Sequence, residues 1–290
     1  MAGRDPEAVA ESALDAVAAV APEVRDGLPG RRRYLDGENP SGERVLAADV
    51  FADELLESAL GDADGVGTYA SEERAAPVDV GDGAVSVAVD PLDGSSNLRS
   101  NNPMGTVVAV YDGPLPASGR DLVAAGFVLY GPVTTMVAGV GPPGEAAVDE
   151  FLVGDGGDRE ELGALHLPDE PTVYGFGGRV PDWPADFAAY VDEVEDELKL
   201  RYGGAMIADV SQVLAYGGVF GYPALESAPD GKLRLQFEGN PVAYLVECAG
   251  GRSSTGDGSI LDVEATGLHQ RVPVHVGNAA LVERLEAALA

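Results

Sequence analysis

Apolar residues recur at helical spacing twice near the start of the chain: Val9, Ala13, Leu14, Val17 and Val20, then Val45, Phe51, Leu55, Leu56 and Leu60. Steps of three and four place such residues on one helix face, so the pattern predicts two amphipathic helices, the first over 6–24. Between them, GLPGRRRYLDGENPSGE is dense in Gly, Pro and charge and reads as a surface connector. From residue 84 the pattern changes to short β-rich runs, AVSVAV, TVVAVY, VAAGFVLY and TTMVAGV, separated by Gly, Pro and Asp. These predict a largely antiparallel meander. Beyond residue 168 strands at TVYGF, VFGYP and VPVHV alternate with helices over 185–198, 207–216, 241–249 and 279–289. The layout predicts an α/β (α+β) fold in which two halves, 1–165 and 166–290, pack into one layered unit.

Composition narrows the function classes. At 290 residues and 45% hydrophobic, the chain can bury a large core. No apolar run reaches the roughly 18 to 20 residues that cross a bilayer. The N-terminus lacks the basic start and apolar stretch of a signal peptide, which makes the cytoplasm the expected compartment. The balance of 49 acidic against 18 basic residues, a net charge of −31, repels nucleic acid and anionic membranes, and neither is expected as a partner. An ordinary hydrophobic fraction argues against acidic disorder. With Lys199 and Lys232 as its only lysines, the chain resembles proteins adapted to concentrated salt, where screening offsets self-repulsion. Cys248 is the single cysteine, so it forms no internal disulfide, and its setting in YLVECAGG reads as packing. His166, His269 and His275 show no metal-ligand spacing.

The candidate chemistry starts where AVSVAV runs into DPLDGSSN. Asp90 ends the strand and Asp93 follows a Pro-containing turn, so two carboxylates face one point. Gly94 permits a tight backbone that leaves the amides of Gly94, Ser95 and Ser96 directed at an anion. Hard Mg²⁺ takes oxygen ligands and binds through a few carboxylates plus a substrate phosphate. The same residues also read as an Asx-capped loop between strands. Two further acidic spots sit elsewhere: Glu72 and Glu73 close VGTYASEE, and Glu238 precedes a Pro-initiated helix in QFEGNPVAYLVECAGG.

These strings, with LAADV around Asp49, RYGGAMIADV, YGGVFGYP, GKLRLQFEGNP, AGGRSSTG and LHQRVPVHVG, run in order over 39–285. Together they resemble the class I fructose-1,6-bisphosphatases of the wider fructose-bisphosphatase and inositol-monophosphatase superfamily, in a haloarchaeal form. Ser95 after the Gly, and Phe237-Glu238 at the later acidic site, favour this branch over the inositol monophosphatases. The resemblance implies a layered αβαβα sandwich and Mg²⁺-dependent hydrolysis of the 1-phosphate of fructose 1,6-bisphosphate, a gluconeogenic step. Alternatives are a broader sugar or inositol phosphatase, including one for sedoheptulose bisphosphate, and a catalytically silent sugar-phosphate-binding regulator.

Residue by residue, the resemblance implies that Glu72, Asp90, Asp93, Glu238 and the Leu92 carbonyl hold two or three Mg²⁺, with Mn²⁺ as a substitute. Asp49 and Glu73 would orient or deprotonate the attacking water. Gly94, Ser95, Ser96 and Asn97 would face the substrate. Lys232, Tyr202 and Tyr222 would hold the sugar phosphate, with Arg201 reaching in from a neighbouring subunit of a homo-oligomer, a dimer or tetramer. Strand alternation would put Lys232 and Glu238 on one side. Glu43, Asp53 and Glu54 read as solvated helix residues. Two departures stand out. Gly177 and Val180 occur where many relatives carry Asn and Tyr for the distal phosphate, with Arg179 nearby to compensate. Ala84 and Val85 occupy the place of a Lys-Tyr pair that grips AMP, which implies insensitivity to AMP.

Overall fold

The computed structural model describes residues 4–40, 42 and 44–290. The chain opens with α1 (Pro6–Gly27), a two-stranded ribbon of β1 (Tyr34–Glu38) and β2 (Arg44–Leu46), and α2 (Ala47–Gly61). Then come β3 (Val66–Ser71), β4 (Val78–Asp79), β5 (Val85–Asp93), β6 (Met104–Asp112), β7 (Leu122–Tyr130), β8 (Thr134–Val140), β9 (Val148–Val153) and β10 (Arg159–Ala164). The C-terminal part runs β11 (Val173–Phe176), α3 (Ala185–Glu197), β12 (Lys199–Leu200), α4 (Met206–Tyr216), β13 (Gly218–Tyr222), β14 (Leu233–Arg234), α5 (Asn240–Cys248), β15 (Arg252–Ser254), β16 (Arg271–Val272), β17 (Val274–Gly277) and α6 (Ala279–Leu289).

Two sheets organise these elements. The larger has the order β10-β9-β8-β7-β6-β5-β3-β4 and is antiparallel except where β3 runs parallel to β5. The second has the order β12-β11-β13-β17-β15. The period-2 pattern of the meander explains why the larger sheet is covered on both faces. On β5, Val85, Val87 and Val89 turn toward α1 and α2, while Ala88 turns toward the interior of the molecule. On β6, Val108 and Val110 face the first layer, and Val107, Ala109 and Tyr111 face the second. α4 and α5 fill the space between the sheets, packing Ile207, Val210, Val242 and Tyr244 against β6, β7 and the inner face of the second sheet. α3 and α6 close the outer face of that sheet through Phe187, Tyr190, Leu281 and Leu285. The result is the expected αβαβα stack. Tyr244 lies wholly buried in the central layer with its hydroxyl donating to the Gly141 carbonyl at 2.8 Å. Truncating a side chain of this size and burial to Ala costs about 3 to 5 kcal/mol.

Several local readings are corrected. The stretch read as a connector forms a helical turn (Leu28–Arg31) and the β1–β2 ribbon. Val45 therefore belongs to β2 and precedes the second helix. VPVHV splits, because Pro273 breaks the ladder: β16 pairs with β14, and β17 joins the second sheet between β13 and β15. The second-sheet helices at 185–197, 206–216 and 279–289 fall within a residue of expectation. The chain does not remain a strand from Lys232 to Glu238. After Arg234 it enters one wide π-helical turn (Leu235–Gly239) that leads into α5.

Candidate active site

The π turn decides which basic residue faces the acidic cluster. Four residues apart on a helical turn, Arg234 and Glu238 approach each other, with the Arg234 N–H donating to Glu238 Oε2 at 2.6 Å. The Arg234 guanidinium also lies 3.0 Å from Glu72 Oε1 and 3.7 Å from Glu238 Oε2. Strand alternation had paired Lys232 with Glu238 and passed over Arg234. The available signal was a basic residue four positions before an acidic one at a helix entrance.

Glu72, at the end of β3, Asp90, on β5, and Glu238 bring carboxylate oxygens within 4.8 Å of one another, all buried. Parallel pairing of β3 with β5 sets the first two side by side, with Ser71 opposite Val89 and the Glu72 N–H donating to the Val89 carbonyl. Asp90 Oδ1 accepts the Leu92 N–H at 3.0 Å, which folds the DPLD segment back on itself. The Thr106 hydroxyl donates to the Pro91 carbonyl at 2.9 Å and lies 3.0 Å from Tyr130 Oη, a brace under the loop that the motif did not reveal. Asp93 stands outside the trio but borders the same pocket, and its Oδ2 accepts the Ile207 N–H at 2.9 Å. Gly94 adopts φ +72°, and a Cβ there would meet the Ala205 Cβ at 2.2 Å, so only glycine allows both the turn and the approach to α4.

The electrostatics suit a cation. Burial, reinforced by the Glu238 and neighbouring carboxylates, raises Glu72 well above the usual carboxylate range. Burial and the Glu72 charge do the same to Asp90. Asp93 is pushed up to about 7, first by burial and then by Glu238. Glu72 Oε2 is buried and has no hydrogen-bond partner among the described residues. A bare oxygen facing two other buried carboxylates is the donor set a hard divalent cation requires, and it fits Mg²⁺. Glu73 is pushed up to about 7 by burial and by the Asp49 charge. Asp49, at the start of α2, accepts the Leu46 N–H at 2.7 Å. Asp49 and Glu73 flank the carboxylate trio in one pocket of about 440 Å³, which also takes in Leu92, Gly94, Ser95, Ser96, Arg99 and Arg234.

The other expected residues distribute as follows. Asn97 donates both amide hydrogens, to the Pro103 and Gly203 carbonyls at 2.9 Å each. These two bonds brace the acidic loop against the segment leading to α4, so a substrate contact from this side chain would be through its oxygen. Lys232 and Tyr222 meet in a second hollow of about 550 Å³ together with Arg179, with Lys232 Nζ 5.9 Å from the centre of the Tyr222 ring. Tyr222 lies against Gly177, where a Cβ would come within 2.3 Å of the ring, so the Gly departure makes room for this tyrosine. Arg201 and Tyr202 are exposed beyond β12 at the edge of the second sheet, and neither lines that hollow. Asp53 is not solvated. It is buried, accepting the Tyr69 hydroxyl at 2.8 Å and Arg74 Nε at 2.7 Å, because α2 turns it toward β3. Glu54 is exposed as expected, and Glu43 lies outside the described residues. Cys248 is half-buried, with its thiol pushed up by burial and its Sγ accepting the Gly144 N–H at 3.1 Å. His269 and His275 each hydrogen-bond to a backbone carbonyl, of Arg74 and Ser254.

Residues 34–158 match the N-terminal and residues 167–290 the C-terminal domain family of fructose-1-6-bisphosphatase. The class 1 fructose-1,6-bisphosphatase of Natronomonas pharaonis is 60% identical over 278 residues, covering 95% of this chain and 97% of that protein. The Halobacterium salinarum protein of the same name is 59% identical over 283 residues, covering 97% of each. The crystal structure of Leishmania major fructose-1,6-bisphosphatase in holo form is 28% identical and superposes with a TM-score of 0.90, covering 98% of this chain and 94% of that one. With both domain families matched in order and the layered fold shared along nearly its whole length, the chain belongs to the class 1 fructose-1,6-bisphosphatase family.

Proposed function

We propose that this chain hydrolyses the 1-phosphate ester of fructose 1,6-bisphosphate, releasing fructose 6-phosphate and inorganic phosphate, with Mg²⁺ held by Glu72, Asp90, Asp93, Glu238 and the Leu92 carbonyl. The observation that carries this reading is the buried trio of Glu72, Asp90 and Glu238, one of whose oxygens has no protein donor, beside the buried guanidinium of Arg234. Bound Mg²⁺ would lower the pKa of a coordinated water and neutralise charge on the phosphoryl and leaving oxygens. The chain's own residues supply the rest. Glu73, poised near 7 by burial and by Asp49, takes the proton of the attacking water at working pH. A bond forms from that water oxygen to phosphorus as the ester P–O bond breaks, and the sugar oxygen leaves with a proton taken from solvent, which in turn receives the proton held by Glu73. Arg234 offers its guanidinium to the phosphoryl oxygens, and Gly94, Ser95 and Ser96 line the same pocket.

Lys232, Tyr222 and Arg179 form the basic hollow suited to the distal phosphate. Tyr202 of the same chain would join it, with Arg201 supplied by a neighbouring subunit in a homo-oligomer. A net charge of −31 repels nucleic acid and anionic membranes, so neither is proposed as a partner, and the cytoplasm is the proposed compartment. No described helix is long and apolar enough to cross a bilayer. Gly177, which lies against Tyr222, and the exposed Val180 stand where many relatives carry Asn and Tyr, and they favour a second reading, a phosphatase that also accepts larger sugar bisphosphates such as sedoheptulose bisphosphate.

The test is phosphate release across a panel of sugar mono- and bisphosphates in molar KCl with Mg²⁺. Fructose 1,6-bisphosphate is expected to give the highest kcat/KM, and Asp93→Asn to lose at least about 1.4 kcal/mol of barrier lowering, a tenfold rate, while staying folded. A preferred substrate without a distal phosphate, or an Asp93→Asn variant near wild-type rate, would overturn it.

A further inference from the structure

One charged feature outside the catalytic carboxylates runs against the character of the whole chain. Arg32, Arg33, Arg44 and Arg99 converge with Tyr34 around a hollow of about 510 Å³. In a chain with a net charge of −31, an arginine has every opportunity to find a carboxylate. At least eight of the other twelve arginines do so, each with a carboxylate oxygen within 4.0 Å. Among the described residues none of these four does. Four unneutralised guanidiniums held close together repel one another, so the arrangement is stable only to the extent that the fold imposes it or an anion offsets it.

The fold does impose it. Arg32 Nη2 donates to the Arg99 carbonyl at 2.6 Å, tying the chain before β1 to the end of the acidic loop. The Arg33 carbonyl accepts the Ala47 N–H at 3.0 Å, which anchors it to the start of α2. The Arg44 guanidinium stacks 4.3 Å above the Tyr34 ring, which leaves its N–H edges available for in-plane acceptors. Tyr34, Arg44 and Arg99 also line the catalytic pocket, so the arginine hollow opens at its rim. Its charge is opposite to that of the carboxylates beyond it.

We propose that these four arginines form a further anion site, an outer phosphate subsite that holds a phosphate dianion at the mouth of the catalytic pocket. Arginine forks match phosphate oxygens two at a time, and a dianion is the charge that four clustered guanidiniums call for. Placed at the rim, such a subsite draws phosphate-bearing molecules to a pocket whose carboxylates would otherwise repel them. It also gives released phosphate a place to go. The occupant is either a phosphate ester on its way in or inorganic phosphate on its way out.

Equilibrium dialysis with radiolabelled inorganic phosphate, on the full chain with Mg²⁺ in molar KCl, counts the sites whether or not the chain turns over a bisphosphate. The wild type is expected to bind three phosphates per chain, at the catalytic pocket, the Lys232 hollow and the arginine hollow. Arg32→Ala/Arg33→Ala is expected to bind one fewer, or to bind one of them at least tenfold more weakly. Should the double variant fold poorly by circular dichroism, Arg33→Gln alone is expected to weaken that same phosphate. Equal numbers of phosphates bound with unchanged affinity by the wild type and a folded variant overturn the proposal. Competition with glucose 6-phosphate separates the sources, and either result upholds the shared site. Displacement of the arginine-dependent phosphate assigns the subsite to incoming esters, and failure to displace it assigns the subsite to released phosphate.

Discussion

Replacing Arg234 with alanine tests the electrostatic logic of the site most directly. Arg234 is 4% exposed, and its guanidinium lies 3.0 Å from Glu72 and 3.7 Å from Glu238, in a cluster that also contains Asp90. Removing one partner from a buried ion pair costs about 3 to 5 kcal/mol, because the remaining charge stays buried without compensation. For 290 residues the unfolding entropy near the midpoint is roughly 0.6 kcal/mol per degree, so the loss corresponds to a fall in Tm of about 5 to 8 °C. The sign of the metal response is equally specific. Mg²⁺ supplies positive charge to the same carboxylates, and at a hundredfold excess over Kd it contributes about 2.7 kcal/mol, or roughly 4 °C. Thermal melts followed by circular dichroism in molar KCl, with EDTA and then with Mg²⁺, give both quantities for wild type, Arg234→Ala and Arg234→Lys. The alanine variant should be the least stable in EDTA, and Mg²⁺ should recover part of the loss. Lysine, which keeps charge without the fork, should fall between. An alanine variant that melts in EDTA within about 1 °C of wild type would refute the reasoning, since the carboxylates would then not depend on Arg234 for their burial.

Other predictions follow from the same physics. His275 is buried, its Nδ1 lies 3.1 Å from the Ser254 carbonyl, and burial depresses its pKa from 6.5 to about 4. The unfolded chain therefore takes up a proton that the folded chain refuses. The stability contributed by the neutral ring is complete above pH 6.5 and declines as pH falls toward 4, by about 3 kcal/mol. Denaturant unfolding of His275→Gln should lack this component of the pH slope, and parallel slopes in both proteins would contradict it. With a net charge of −31, Tm should climb steeply between dilute buffer and molar KCl as repulsion across about 10 Å is screened, and a flat melting profile would count against adaptation to salt. Arg201→Ala should raise KM for the bisphosphate by roughly ten- to 150-fold, the worth of about 1.5 to 3 kcal/mol in a charge-assisted contact, with little change in kcat. Mixing it with Asp93→Asn subunits should restore normal-KM turnover if the arginine is shared between subunits, and exchange of subunits without restored turnover would rule sharing out.

What the sequence by itself determined is the material that local periodicity and turn chemistry encode. Val9, Leu14 and Val17 declared a helix, AVSVAV declared a strand, and Gly94 declared a tight turn. The acidic residues of the pocket were legible for the same reason, since Asp90 and Asp93 sit within one short motif and Glu72 and Glu238 at the ends of recognisable elements. Tertiary structure alone decided what depends on distant partners. The π turn after Arg234 carries no distinctive local pattern, and it, in place of strand alternation, brings Arg234 rather than Lys232 to the carboxylates. Asp53 looked solvated because nothing nearby in sequence announces Tyr69 and Arg74 as its partners. Nothing near Asn97 in sequence announces that Gly203, more than a hundred residues away, takes one of its amide hydrogens. Arg32, Arg33, Arg44 and Arg99 likewise come together from the turn before β1, from β2 and from the end of the acidic loop. Periodicity reports which face of an element is buried, but the identity of what it is buried against arises only when remote segments meet, and charge pairing is decided there.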